Sequence, residues 1–231
     1  MYFPGGGSRR WQLPYRGSIR NYIEGTGAEL WIPLYPLLPD YDLMDETEFT
    51  IRLHEKMLKR FPAENIVWLG ISGGADVLMQ AGRHMVKKYP ELPMPGLMLP
   101  VSVSGLLMSE DAKTRMRGID SRDPILHWDM FETMVKYYNP NEDLPQYILG
   151  KADEDDYTGF PKIIMYFGGD EVFAGIAPDY EKSFIRCGVK DYEIKIKEGM
   201  PHAYPMFTFL KEGREGEREI IADINRYFES C

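Results

Sequence analysis

A short apolar run, Ile66-Val67-Trp68-Leu69, passes through Gly70-Ile71-Ser72-Gly73-Gly74 straight into a stretch of helical period from Ala75 to Tyr89. A helix that follows a strand runs back along the sheet and returns the chain to the end at which the strand began. The next strand must therefore run parallel to the first, and a helix must cover the sheet between them. The same alternation recurs. Strand-like runs are predicted at Met1-Phe3, Ala28-Leu34, Asn65-Gly70, Gly96-Val103, Lys162-Phe167 and Tyr192-Lys197, and helical periods at Gly17-Glu24, Asp45-Phe61, Gly73-Tyr89, Ala177-Cys187 and Glu215-Tyr227. The expected fold class is α/β, with a mainly parallel sheet between two layers of helices. A length of 231 residues suits one such domain with a single large core.

One segment breaks the rhythm. From Ser109 to Phe160 the chain carries Pro124, Pro140 and Pro145, a helical stretch near His127-Tyr138, and the acidic run Asp153-Glu154-Asp155-Asp156. A structureless connection of that length is uncommon in a compact domain, so residues at about 109–160 are expected to form a cap-like insertion over one end of the sheet.

Charge and cysteine usage remove several classes of function. The formal net charge of -9 argues against nucleic acid and against an anionic membrane surface, both of which require basic patches. The two cysteines, Cys187 and Cys231, form neither a CxxC pair nor part of a Cys/His cluster, so no zinc site and no disulfide framework is expected. The amino terminus lacks the basic start and apolar run of a secretory signal, and no apolar run approaches the roughly 20 residues of a membrane span. A cytoplasmic location is the expectation.

Within this framework a few residues carry chemistry. Ser72 stands at the centre of a GxSxG sequence between a strand and a helix, the context in which a sharp turn lifts a serine hydroxyl out of the strand and the helix points its positive end at the site. The plainer alternative is a glycine-rich connecting loop. A serine nucleophile needs a base. Of the four histidines, His54 and His84 fall inside helical stretches and His127 in the expected insertion. His202 lies in the loop after the last predicted strand, where open α/β sheets gather their reactive groups. The base must in turn be oriented by an acid, and Gly168-Gly169-Asp170-Glu171 follows a strand with two carboxylates at its tip. Adjacent residues point in different directions, so one of Asp170 and Glu171 should reach His202. Pro4-Gly5-Gly6-Gly7 follows the first strand. Its backbone N–H groups could approach an oxyanion, whereas a phosphate-binding loop would need the GxxxxGK[ST] or GxGxxG pattern that is missing here.

Taken in order, Pro4-Gly5-Gly6-Gly7, Tyr35-Pro36-Leu37-Leu38-Pro39-Asp40, Gly70-Ile71-Ser72-Gly73-Gly74, Gly168-Gly169-Asp170-Glu171-Val172-Phe173 and Gly199-Met200-Pro201-His202-Ala203-Tyr204 resemble the motifs of the hormone-sensitive lipase family of α/β-hydrolases, the branch of many small bacterial esterases. The resemblance implies an α/β-hydrolase three-layer sandwich. It implies Ser72 as nucleophile, His202 as general base and then acid, and Glu171 as the orienting carboxylate, because the family's acid directly precedes a Val/Pro-Leu pair. It places the oxyanion hole at the N–H groups of Gly6, Gly7 and Gly73, and it implies no cofactor and no metal. The implied substrate is a small carboxylic ester of short to medium acyl chain. Amide or peptide hydrolysis with the same triad, and a non-catalytic ligand-binding member of the fold, are the alternatives. A homo-oligomer is compatible with the sequence.

The sequence departs from the family in three places. Pro4 replaces a histidine, Ile71 and Gly73 replace Asp and Ala around the serine, and the chain begins on the strand leading into the glycine loop, whereas family members carry earlier strands and cap helices. N-terminal strands are therefore expected to be missing, as in a fragment or a minimal version. Among the aromatic residues close to the motif loops, Trp11, Tyr35, Trp128 and Phe173 are candidates for lining an apolar pocket or for plain core.

Overall fold

The computed structural model describes residues 1–230; Cys231 lies outside them. Five parallel strands form one sheet in sequence order: β1 (Tyr2–Phe3), β2 (Val67–Ile71), β3 (Leu97–Val101), β4 (Lys162–Gly168) and β5 (Tyr192–Lys197). Successive side chains on a strand point to opposite faces, and the apolar residues divide accordingly. Phe3, Trp68, Met98, Ile163, Met165 and Phe167 enter one core, while Tyr2, Leu69, Ile71, Leu99, Ile164 and Tyr166 enter the other. Both faces are apolar, so both need helices.

Helices α2 (Leu43–Leu58), α3 (Gly73–Lys88) and α7 (Ala177–Cys187) supply Ile51, Leu78 and Phe184 to the first core. Helices α1 (Arg16–Thr26) and α8 (Lys211–Glu229) supply Tyr22, Ile220 and Ile224 to the second. The result is the expected sandwich of helix, sheet and helix. Both α3 and α7 connect neighbouring parallel strands and lie on the same face, as a common crossover hand requires. Local signals set the ends of these helices. Asp42 and Asp45 form a reciprocal capping box at the start of α2, and Gly188 ends α7 in the left-handed conformation.

The sequence-based expectations hold for five of the six strands. Ala28-Leu34 is not a strand. It runs as irregular chain beside β1, joined to it by the Tyr2 N–H donating to the Trp31 carbonyl at 2.8 Å. Pro33 has no N–H to offer, and β1 has only two residues to pair with. The stretch 109–160 contains helices α4 (Glu110–Ile119), α5 (Met130–Tyr138) and α6 (Gln146–Leu149). The helix expected near His127-Tyr138 thus begins at Met130, after a turn that holds His127 and Trp128. Among the described residues no helix is long and apolar enough to cross a membrane.

Candidate active site

Four of the five motif loops, those of Pro4, Ser72, Glu171 and His202, leave the carboxyl ends of strands, so parallel pairing alone brings them to one edge of the sheet. Ser72 follows β2 directly, with φ 53° and ψ -126°, a left-handed backbone that a non-glycine residue adopts only when its surroundings impose it. Those surroundings are crowded. A side chain on Gly74 would begin 2.2 Å from the Phe3 carbonyl oxygen, so β1 and α3 can pass this closely only with glycine there. Ser72 N–H donates to the Val101 carbonyl at 2.8 Å, and the Ser72 carbonyl accepts from Ala75 and Asp76, which ties the turn to β3 and to the first turn of α3.

The imidazole of His202 lies between the serine and a carboxylate. Its Nε2 is 2.8 Å from Ser72 Oγ, and its Nδ1 is 2.8 Å from Glu171 Oε2. Glu171 is fully buried, and its other oxygen accepts from the Gly168 N–H at 3.0 Å. Burial pushes its carboxyl above the ordinary carboxylate range, and the hydrogen bond from His202, its charge, the Ser102 hydroxyl and the Gly168 N–H act the other way. Of the two neighbouring carboxylates, Glu171 meets His202, whereas Asp170 turns outward to an ion pair with Arg122 at 3.0 Å. Phe173 packs edge-on against His202, ring centres 5.1 Å apart, and Phe131 of α5 packs on Phe173 at 5.0 Å.

The glycine loop stands opposite. Gly6, Gly7 and Gly73 line the same cavity as Ser72 and His202. Gly73 is the first residue of α3, so its N–H has no carbonyl one turn earlier within the helix. A side chain on Gly73 would begin 2.6 Å from the Gly7 nitrogen, which explains why glycine stands where the family has alanine. The loop itself is braced from three sides. Tyr35 donates its hydroxyl to the Pro4 carbonyl at 2.6 Å, Tyr138 of α5 donates to the Gly7 carbonyl at 2.5 Å, and Ser8 Oγ donates to Glu46 of α2 at 2.8 Å. Pro4 carries no side-chain donor, and these hydroxyls hold the loop instead.

Several of these contacts were beyond sequence reasoning. Ser102, buried just after β3, accepts from the Ala203 N–H at 2.8 Å and so ties the His202 loop to the middle of the sheet. Asp123 accepts from the Val172 N–H at 2.8 Å and fastens the 109–160 segment to the Glu171 turn. A serine and an aspartate in otherwise unremarkable stretches give no signal of their own. Of the four aromatic candidates, Phe173 alone lines the cavity. Tyr35 braces the glycine loop, Trp11 donates to the Tyr35 carbonyl at 3.1 Å, and Trp128 packs against Arg117. The other histidines lie elsewhere: His54 is buried against Trp68, His84 pairs with Glu48, and His127 is exposed.

A family model described as alpha/beta hydrolase fold matches residues 2–206. The chain belongs to that alpha/beta hydrolase family. Solved structures agree on the fold. An esterase from the bacterial hormone-sensitive lipase family superposes with a TM-score of 0.84 at 18% identity, over 98% of this chain and 76% of that one. The hormone-sensitive lipase homologue EstE7 from a metagenome library gives 0.81 at 22% identity, over 98% and 77%. EstE5, in a crystal soaked with p-nitrophenyl butyrate, gives 0.82 at 18% identity, over 99% and 76%. No curated protein matches the sequence. In this alpha/beta hydrolase the cavity at the serine has a volume of about 930 Å³, and Ile125, Met130, Met134 and Tyr137 of the 109–160 segment are among the residues that line it.

Proposed function

We propose that this alpha/beta hydrolase is a serine carboxylic ester hydrolase that works through an acyl-enzyme. The observation that carries the proposal is the continuous hydrogen-bonded line from Glu171 through His202 to Ser72 Oγ, at 2.8 Å on each side of the imidazole. Glu171 accepts from the Nδ1–H of His202 and so leaves Nε2 as the acceptor. Nε2 takes the proton from Ser72 as Oγ attacks the ester carbonyl, and the carbonyl carbon becomes tetrahedral. The negative charge that forms on the carbonyl oxygen is stabilised by the backbone N–H groups of Gly6, Gly7 and Gly73, a contribution of about 2.7 to 4 kcal/mol per donor in related chemistry. Collapse of the intermediate expels the alcohol, which takes the proton back from Nε2. Water then repeats the sequence on the acyl-enzyme and frees the acid. We assign the 109–160 segment as the cap of this pocket, since it lines the cavity and is tied to both the glycine loop and the acid turn.

The experiment is hydrolysis of p-nitrophenyl acetate and butyrate by the wild type and by Ser72→Ala. Turnover of both esters is expected from the wild type, with a loss on the order of 10⁴-fold or more in the variant. Equal rates from the two proteins would remove Ser72 as nucleophile.

A further inference from the structure

The chain carries a formal net charge of -9, yet the cavity beside Ser72 is lined by three arginines, Arg9, Arg10 and Arg83, against one carboxylate among the described residues, Asp76. Two of these four charges already have protein partners. Arg83 pairs with the buried Asp155 at 3.2 Å and donates its Nε to the Tyr147 carbonyl at 2.7 Å. Asp76 accepts from the Ser104 N–H at 2.8 Å, the Ser104 hydroxyl at 3.0 Å and the Gly105 N–H at 3.1 Å. Arg9 and Arg10 are different. Both are exposed at the mouth of the cavity, and neither has an ion-pair or side-chain hydrogen-bond partner among the described residues. The glycine loop fixes their place. The Gln12 N–H donates to the Gly5 carbonyl at 2.8 Å and closes residues 5–12 into a loop, within which the Arg9 N–H donates to the Gly6 carbonyl at 3.3 Å. Arg10 folds over Gly6 so closely that a side chain there would meet the Arg10 carbonyl and begin 2.9 Å from its Cγ. Arg9 lays its guanidinium on the ring of Tyr137 in α5, 4.7 Å from the centre. Stacking covers one face of the planar group and leaves the donors on its edge free.

Two unneutralised guanidinium groups at the rim of a partly enclosed cavity raise the local potential, and each can grip an oxyanion with two parallel hydrogen bonds. From this, and resting on the reading of Ser72 as an ester-cleaving nucleophile, we infer that Arg9 and Arg10 form an anion-binding specificity subsite. It selects esters in which the arm that leaves the cavity past the glycine loop carries an anionic oxygen group, a carboxylate being the smallest that fits the guanidinium fork. A plain alkyl arm leaves both cations to water and gains nothing from them. Both side chains are rooted beside Gly6, one of the proposed oxyanion donors. Any help they give to charge developing at the scissile carbonyl is common to all esters, and it cancels when an anionic ester is compared with its neutral isostere.

The test compares isosteric esters on the wild type and on the double variant Arg9→Gln, Arg10→Gln. Mono-p-nitrophenyl adipate is set against p-nitrophenyl 6-methylheptanoate for the acyl arm, and 6-acetoxyhexanoate against 6-methylheptyl acetate for the alcohol arm. In each pair a carboxylate replaces an isopropyl group of similar shape. At low ionic strength the wild type should favour the carboxylate ester in kcat/KM in at least one pair, and the responding pair identifies which arm passes the glycine loop. The double variant should lower the ratio of carboxylate to alkyl ester about tenfold, chiefly through KM. Sodium chloride at about 0.5 M should lower the ratio in the wild type and leave that of the variant unchanged. A wild type that favours the alkyl ester in both pairs overturns the subsite, and that result stands even if the variant fails to fold. An unchanged ratio in a folded variant overturns it as well, and leaves the two arginines as solvated surface. Ser72-dependent turnover of p-nitrophenyl acetate without a carboxylate preference leaves the hydrolase reading intact, whereas no ester turnover at all removes both.

Discussion

Two neighbouring carboxylates after β4 show how a single side chain's surroundings decide its role. Glu171 is sealed in the interior with His202 and the Gly168 N–H as partners, and Asp170 meets Arg122 near the surface. Replacing Glu171 by Gln keeps the shape but removes the charge that, in the proposed mechanism, stabilises the imidazolium. Turnover is expected to fall on the order of a thousandfold. The Asp170–Arg122 pair is partly exposed and screened by solvent, so Asp170→Ala should leave kcat/KM within about threefold. Steady-state kinetics on both variants check the assignment, and a severe loss confined to Asp170→Ala would reverse it.

Elements matter here through what they hold in place. Helix α5 lines the cavity with Met130, Met134 and Tyr137, and its last residue, Tyr138, reaches the glycine loop and donates to the Gly7 carbonyl. Arg9 of the same loop stacks on Tyr137, 4.7 Å from the ring centre. These two contacts join α5 to the loop that carries the proposed oxyanion donors. Tyr138→Phe removes a single buried hydrogen bond, worth about 1 kcal/mol. If the loop is needed in place mainly when charge develops on the carbonyl oxygen, kcat should fall about fivefold with little change in KM. A rise in KM at constant kcat would instead assign Tyr138 to substrate binding.

At the scale of the whole molecule, the buried carboxyls set how stability responds to pH. Burial raises Glu46 well above its ordinary value of 4.5, and it raises Asp76, Asp155 and Glu171 in the same direction. A raised native value means that the folded protein holds more protons than the unfolded chain between the two values. The stability these groups contribute is full below the ordinary carboxylate range and is lost as pH rises through the raised values. Glu46 offers the cleanest test, because one oxygen accepts from Ser8 and the other has no hydrogen-bond partner among the described residues. Glu46→Gln keeps an acceptor for Ser8 and cannot ionise. Its melting temperature should decline less than that of the wild type between pH 5 and pH 8 and lie above it at the upper end. Parallel curves for the two proteins would show that Glu46 titrates alike in both states.

The sequence by itself determined the layered α/β architecture, because alternating apolar periods leave a chain few ways to bury both faces of a sheet, and five of the expected strands lie where those periods fall. It also determined that Ser72, the Asp170-Glu171 turn and His202 would gather at one edge, since parallel strands deliver all their carboxyl-terminal loops to the same side. Only the tertiary structure decided which carboxylate faces the imidazole, because that depends on the backbone direction of one turn fixed by Asp123 and Gly168. The same is true of what braces a glycine loop that begins with Pro4. Tyr35, Tyr138 and Ser8 come from distant parts of the chain, and hydroxyls that meet only through packing leave no periodic trace in a sequence.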